Sequence, residues 1–158
     1  MASYLGLSSG LGFDKNISYW TVPAALFMAL LPRFYAGLSG PGKQFFDRSN
    51  PRNFTARLES SDLDKRVRQR LQRAEAAGAN AFETLGLYAA AVTAGNAAGV
   101  PAATMNALSL GYLATRALYT WVYIWGQENR RMYPARTIVW FVNMIIVMTA
   151  FVQAGLRL

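Results

Sequence analysis

The sequence contains no cysteine and no histidine among its 158 residues. Without cysteine, the chain has no disulfide, no thiolate metal ligand and no cysteine nucleophile. Without histidine, it lacks the usual general base and the commonest transition-metal ligand, so we expect no metal site. Any chemistry must therefore use Arg, Tyr, Ser, Thr, Asn and carboxylates, or a reactive group that a bound ligand supplies.

Charged residues are also scarce. They make up 15% of the chain, against about 25% in a typical soluble domain, whereas 53% of residues are hydrophobic and the mean hydropathy is +0.15. The apolar residues form four long runs, and a membrane-spanning helix needs about 20 such residues. We therefore predict an all-α protein whose single domain, residues 1–158, is a four-transmembrane-helix bundle. The predicted helices cover about 19–38, 63–97, 103–125 and 135–156.

The positive charge is concentrated between the first two apolar runs. The polar stretch Ser39–Arg73 holds nine of the 16 basic residues. Because basic loops remain in the cytosol, we place this loop there and both termini on the opposite side. We interpret the net charge of +8 as a topology signal and expect no nucleic-acid partner, since phosphate-binding charge should form a groove with interleaved aromatics.

Each of the last three predicted helices carries polar side chains on one face. These residues are Arg73, Asn80 and Glu83 on the second helix, Arg116, Tyr119 and Tyr123 on the third, and Arg136, Trp140 and Asn143 on the fourth. An ionisable residue in the bilayer core costs about 3 kcal/mol, and such residues are usually functional. Because cations exceed acids here, the pattern favours a site for an anionic, polar ligand. The structural alternative is that Glu83 and Arg116 pair to lock the bundle, with Asn80 as a polar contact between helices.

The segment Arg73–Thr84, with the sequence RAEAAGANAFET, resembles the signature of the membrane-associated proteins in eicosanoid and glutathione metabolism, the MAPEG family. Downstream, Ala114–Tyr119 followed by Tyr123 is similar to the third-helix motif of that family. The segment Pro134–Thr137 is similar to the start of its fourth helix. The resemblance runs through the whole chain in order, including the basic first loop.

The resemblance implies a homotrimer in an internal membrane that binds glutathione, as a cosubstrate, between adjacent protomers near the cytosolic face. It implies that Arg136 stabilises the glutathione thiolate, and we assign Tyr123 as the second catalytic residue. The binding residues that it implies are Arg73, Asn80, Glu83, Arg116, Tyr119 and Thr137, together with Arg33 from the first helix. The expected partners are glutathione, membrane lipids and a lipophilic substrate that enters from the bilayer.

We therefore predict an integral, multi-pass membrane enzyme that activates glutathione in a transferase, peroxidase or isomerase reaction. Its membrane would be the endoplasmic reticulum in a eukaryote or the inner membrane in a bacterium. One alternative is an isomerase or cyclase that acts on a lipophilic metabolite without glutathione. Ala76, which stands where several family members have a second Arg, keeps that alternative open. The other alternative is a non-catalytic regulatory membrane protein, against which the retained Arg136 argues.

Overall fold

The computed structural model describes residues 15–38 and 40–158, and every regular element in those ranges is helical. The prediction of an all-α protein is confirmed. Four helices are long and one is short: α1 (Ser18–Leu38), α2 (Phe54–Glu59), α3 (Lys65–Ala97), α4 (Ala102–Ile124) and α5 (Tyr133–Gly155). The bounds of the four long helices lie within two residues of those expected from the apolar runs.

Helix α3 lies at the centre of a helical bundle. It packs against α1, α4 and α5, and α4 packs in turn against α5. The core between them combines small side chains with aromatic ones: Ala25, Tyr88, Ala91, Val92, Tyr112, Val147 and Ala150. The rings of Tyr88 and Tyr112 stack with their centroids 3.6 Å apart. Alanine lets helix backbones approach closely, and the two stacked rings fill the space that is left between the helices.

Two stretches of the described chain are long and apolar enough to cross a membrane, namely Ser18–Leu38 and Arg130–Gly155. Their outward faces carry large exposed apolar side chains, such as Trp20 and Phe27 on α1 and Ile138 and Ile145 on α5. Helices α3 and α4 are less apolar because polar side chains interrupt their sequences. Some of those polar side chains, such as Arg73 and Asn80, line the site described below.

The polar segment between α1 and α3 is folded onto one end of the bundle, which we call the basic end. Residue 39, which opens the predicted loop, lies outside the described residues. The segment contains 3₁₀ turns at Gly40–Phe45 and Pro51–Asn53 and then helix α2, which the sequence analysis did not predict. Phe54 and Leu58 of α2 are buried in a second apolar cluster.

Helix α3 begins two residues later than expected. Its N-cap is Asp64, whose side chain accepts hydrogen bonds from the backbone N–H groups of Arg66 at 2.9 Å and Val67 at 3.3 Å. A carboxylate at this position satisfies two of the amides that the first turn leaves without partners. The cap thus fixes where the long central helix starts, and with it the register of the polar residues further along.

Candidate functional site

A groove opens at the basic end, between α3, the last turns of α4 and the first turns of α5. It consists of two adjoining cavities. The smaller, of about 270 Å³, is lined by Asn80, Tyr119, Tyr123, Arg136, Thr137 and Trp140. The larger, of about 450 Å³, is lined by Gln69, Gln72, Arg73, Ala76, Tyr123, Gln127, Tyr133 and Arg136. Because Tyr123 and Arg136 line both cavities, we treat them as one site and call it the arginine groove.

Six of the nine site residues expected from the sequence line the arginine groove. They are Arg73, Asn80, Tyr119, Tyr123, Arg136 and Thr137. The other three, Glu83, Arg116 and Arg33, lie outside its lining, each in a different place.

Arg136 is the cation most available to a ligand in the groove. It lies in the first turn of α5 and is half-buried. Its guanidinium carbon stands 4.9 Å from the centroid of the Tyr123 ring, a cation–π contact. None of the ion pairs among the described residues involves Arg136. The unpaired amides at the start of α5 add partial positive charge beside it, so this part of the groove suits an anion.

The tyrosines place aromatic rings and hydroxyls beside that cation. The rings of Tyr119 and Tyr123 meet edge to face, with their centroids 5.5 Å apart. Both residues lie on α4, four positions apart, which puts them on one face of the helix. Tyr119 is buried and Tyr123 is half-buried. The groove therefore offers two hydroxyls next to a fixed positive charge.

Arg73 lines the groove but already has partners. Its Nε donates to the carbonyl oxygen of Ile124 at 3.0 Å, at the last residue of α4. One of its terminal nitrogens lies 3.3 Å from Glu128 Oε1, and Arg70 Nε donates to that same oxygen at 2.6 Å. The hydrogen bond from Arg70 lowers the pKa of the Glu128 carboxyl. Arg73 therefore anchors the end of α4 to α3 as well as facing the groove.

Arg116 lies behind the groove and is not part of its lining. Its side chain is buried, and it donates one hydrogen bond to Asn80 Oδ1 at 3.2 Å and another to the Asn80 carbonyl oxygen at 2.9 Å. A further hydrogen bond joins it to the hydroxyl of Thr84. Its guanidinium carbon also stands 5.1 Å from the centroid of the Tyr119 ring. All these contacts join α4 to α3 or to the next turn of α4.

Glu83 is exposed on the outer face of α3, one turn beyond Asn80. It takes part in no ion pair with any described residue. The structural alternative in which Glu83 pairs with Arg116 is therefore not the arrangement that the described structure has.

Arg33 lies on the opposite side of α3, away from the groove. Its guanidinium pairs with Glu75 at 2.9 Å and lies 5.8 Å from the centroid of the Phe82 ring. The stem of Arg33 crosses α3 at Gly78, where an added Cβ would come within 3.0 Å of Arg33 Cγ. Arg33 therefore does not reach the arginine groove of its own chain.

The sequence analysis did not assign six residues of the groove lining as site residues: Gln69, Gln72, Ala76, Gln127, Tyr133 and Trp140. Trp140 follows Arg136 by four positions, so helical spacing places both on one face of α5. The same spacing links Gln69 to Arg73 and Gln72 to Ala76. Gln127 follows the end of α4 in a 3₁₀ turn, where no helical periodicity indicates its direction.

Asn143, which the sequence placed on the same stripe as Arg136, is fully buried instead of facing the groove. Its Nδ2 donates to the hydroxyl of Thr115 at 2.8 Å and to the carbonyl oxygen of Tyr112 at 3.3 Å. Asn143 therefore joins α5 to α4 inside the bundle.

The family model described as "MAPEG family" matches residues 17–156. No curated protein and no solved structure matches the chain.

Proposed function

The chain belongs to the MAPEG family of membrane proteins, and from that membership we propose that it is an enzyme that binds glutathione and activates its thiol. The family is one of glutathione and eicosanoid metabolism. The observation that carries the proposal is the arginine groove, in which Arg136 has no carboxylate partner among the described residues. Glutathione supplies the sulfur that a chain without cysteine lacks.

The proposed chemistry uses Arg136 as a fixed positive charge beside the sulfur. A cation next to a thiol lowers the thiol pKa and raises the thiolate fraction. Arg136 stabilises the thiolate and does not carry its proton, because a guanidinium stays charged. The thiol proton passes to solvent, and the thiolate then attacks the electrophilic carbon of a lipophilic substrate. As the carbon–sulfur bond forms, either a leaving group departs with its electron pair, or the electron pair of a conjugated double bond shifts away from the attacked carbon and is protonated from solvent. Tyr123, whose ring contacts Arg136, donates a hydrogen bond to the negatively charged sulfur in this proposal.

The remaining groove residues suit the peptide part of glutathione. Asn80, Thr137 and the glutamines can donate to its carbonyls and carboxylates, and Arg73 adds positive charge at the rim. Calorimetric titration of glutathione into the detergent-purified protein tests this proposal. We expect saturable binding, and a titration with no heat of binding at millimolar glutathione would contradict it.

We also propose that all four long helices cross the membrane and that the protein is a homotrimer. Glu83 supports protomer contact on α3, because a carboxylate facing lipid costs about 2.5–3.5 kcal/mol at the centre of a span. Small residues lie around it, namely the half-buried Ala79 and the exposed Gly86 and Ala90, beside the exposed Leu87, and small residues favour close helix packing in membranes. That the protein has three protomers is proposed from its family membership.

A trimer also accounts for Arg33. Since its side chain cannot reach the groove of its own protomer, it can contribute to a glutathione site only from a neighbouring one. The cavity of about 480 Å³ beside it, which Arg33, Arg52, Phe34 and Phe46 help to line, would then face the arginine groove of the neighbour.

Gly86→Leu tests the proposed contact face. A Cβ at Gly86 would have no atom within 4 Å, so the protomer has room for the larger side chain. We expect unchanged helical content but loss of the trimer, because the leucine fills the space that a neighbouring helix needs. Light scattering in mild detergent measures the mass. Gly155→Leu, also at an open position, is the control. If Gly86→Leu remains a trimer as the control does, this face of α3 is not the protomer contact.

Cysteine labelling tests the topology cleanly, since the native chain has no cysteine. We expect Lys43→Cys, in the exposed basic segment, to react with a membrane-impermeant maleimide only from the cytosolic side. Leu158→Cys, at the exposed C-terminus, should react only from the opposite side, because four spans return the chain to the side where it began. Labelling of both positions from one side would rule out four spans, and the reversed pattern would overturn the orientation.

A further inference from the structure

The buried guanidinium of Arg116 makes its hydrogen bonds to Asn80 and Thr84 of α3, and Arg116 does not itself line the groove. The side chain is 2% exposed, and its two bonds to Asn80 lead to the side-chain oxygen and to the backbone oxygen of that residue. No carboxylate pairs with Arg116 among the described residues. A buried positive charge therefore lies directly behind Asn80 without a counter-ion.

This contact decides which way the Asn80 amide points. A guanidinium has only donors, so the amide must turn its oxygen towards Arg116. The amide nitrogen then points the other way, and it makes no hydrogen bond to any residue that the structure describes. Asn80 is half-buried and lines the smaller cavity of the arginine groove. The amide therefore presents an N–H donor to the groove.

We infer that Arg116 is a positioning residue, which fixes the Asn80 amide as a donor so that the groove selects a carboxylate at that point. The inference rests on the proposed glutathione site and names one of the two carboxylates of glutathione as the group that Asn80 binds. The buried charge of Arg116 adds to the selection, since a nearby cation favours an anion more strongly in a dry site than in water. An anion on Asn80 would also compensate that charge.

Three variants separate positioning from simple structural support. Arg116→Lys keeps a donor-only partner behind Asn80. Arg116→Gln introduces an oxygen that can accept from the amide nitrogen, so Asn80 can turn over and present its own oxygen to the groove. Asn80→Asp lets Arg116 hold one carboxylate oxygen and turns the other, as a charged acceptor, towards the ligand.

For the wild type and each variant, calorimetry gives the dissociation constant of glutathione. Kinetics give the KM for glutathione and the kcat with 1-chloro-2,4-dinitrobenzene, and thermal unfolding gives the midpoint. We expect Asn80→Asp and Arg116→Gln to weaken binding by about 10- to 150-fold, the range for one charge-assisted hydrogen bond. The KM should rise, while the kcat at saturating glutathione changes much less because Arg136 is intact. Arg116→Lys should bind closer to the wild type than Arg116→Gln does.

Two outcomes would overturn the positioning role. One is wild-type affinity in Asn80→Asp. The other is that Arg116→Lys and Arg116→Gln lose affinity equally and also lower the midpoint of thermal unfolding equally, since that pattern indicates that Arg116 only supports the fold. If the proposed function is wrong, the wild type itself does not bind glutathione. That result would overturn both the proposed function and this inference.

Discussion

Arg136→Leu lowers turnover of glutathione with a hydrophobic electrophile by about two to three orders of magnitude, the range for losing one preorganised electrostatic donor. The substitution removes the one groove arginine that has no hydrogen bond or ion pair to another described residue. Leucine is shorter than arginine and loses the cation–π contact with Tyr123, but it is a good helix former, so we expect α5 to be retained. Steady-state kinetics with saturating glutathione measure the effect.

Glutathione binding should fall much less than turnover in this variant, because Arg73 and Asn80 still hold the peptide. Arg131→Leu is the matched control, since Arg131 is an exposed arginine close by in the connection between α4 and α5. We expect it to keep the wild-type rate. If Arg136→Leu and Arg131→Leu turn over alike, Arg136 does not activate the thiol.

Glu83→Gln should weaken glutathione binding by about 10- to 150-fold, the range for a charge-assisted hydrogen bond worth about 1.5–3 kcal/mol. Glu83 has no ion-pair partner in the described part of its own protomer. With the proposed topology and trimer, this exposed carboxylate is available to a ligand amine at a protomer contact. Glutamine keeps the shape of the side chain and removes its charge. The change in glutathione affinity, measured by calorimetry, therefore gives the contribution of the Glu83 charge to binding.

The control for this variant is Asp62→Asn, at an exposed acid in the connection between α2 and α3. It should leave affinity unchanged. If Glu83→Gln is a trimer with wild-type affinity, Glu83 belongs to the protomer contact and not to the glutathione site.

The long helices could be predicted from the sequence because each contains a long apolar segment, and those of α1 and α5 are long enough to cross a bilayer. The short helix α2 could not. It has six residues, and one apolar pair, Phe54 and Leu58, is too little periodicity to distinguish a helix from a loop. Only its burial against the ends of α1 and α3 stabilises it, and that depends on the tertiary fold.

The polar stripes predicted the groove but not the role of each residue in it. A step of three residues along a helix turns the side chain by about 60° from its starting direction, which is enough to leave Glu83 outside while Asn80 lines the cavity. For Arg116, the spacing correctly placed the residue on the same face as Tyr119 and Tyr123. It could not show whether the guanidinium would meet a ligand or the neighbouring helix, because that depends on how α4 lies against α3.

Arg33 shows the same limit across the whole molecule. The sequence places Arg33 near the end of α1 that lies at the basic end, where the groove opens. It does not show on which side of α3 the Arg33 side chain lies. The side is set by the close approach of α1 to α3 at Gly78, a contact between distant parts of the chain.

The most direct test of the account is the ultraviolet absorbance of the thiolate when glutathione is added to the wild-type protein at neutral pH. A free thiol of ordinary pKa is mostly protonated under these conditions. We expect a thiolate signal that saturates with the bound fraction and is lost in Arg136→Leu although glutathione still binds. Equal thiolate signals in the wild type and Arg136→Leu would contradict the role of Arg136. A wild type that shows neither binding nor thiolate would contradict glutathione activation altogether and favour a reaction that proceeds without glutathione.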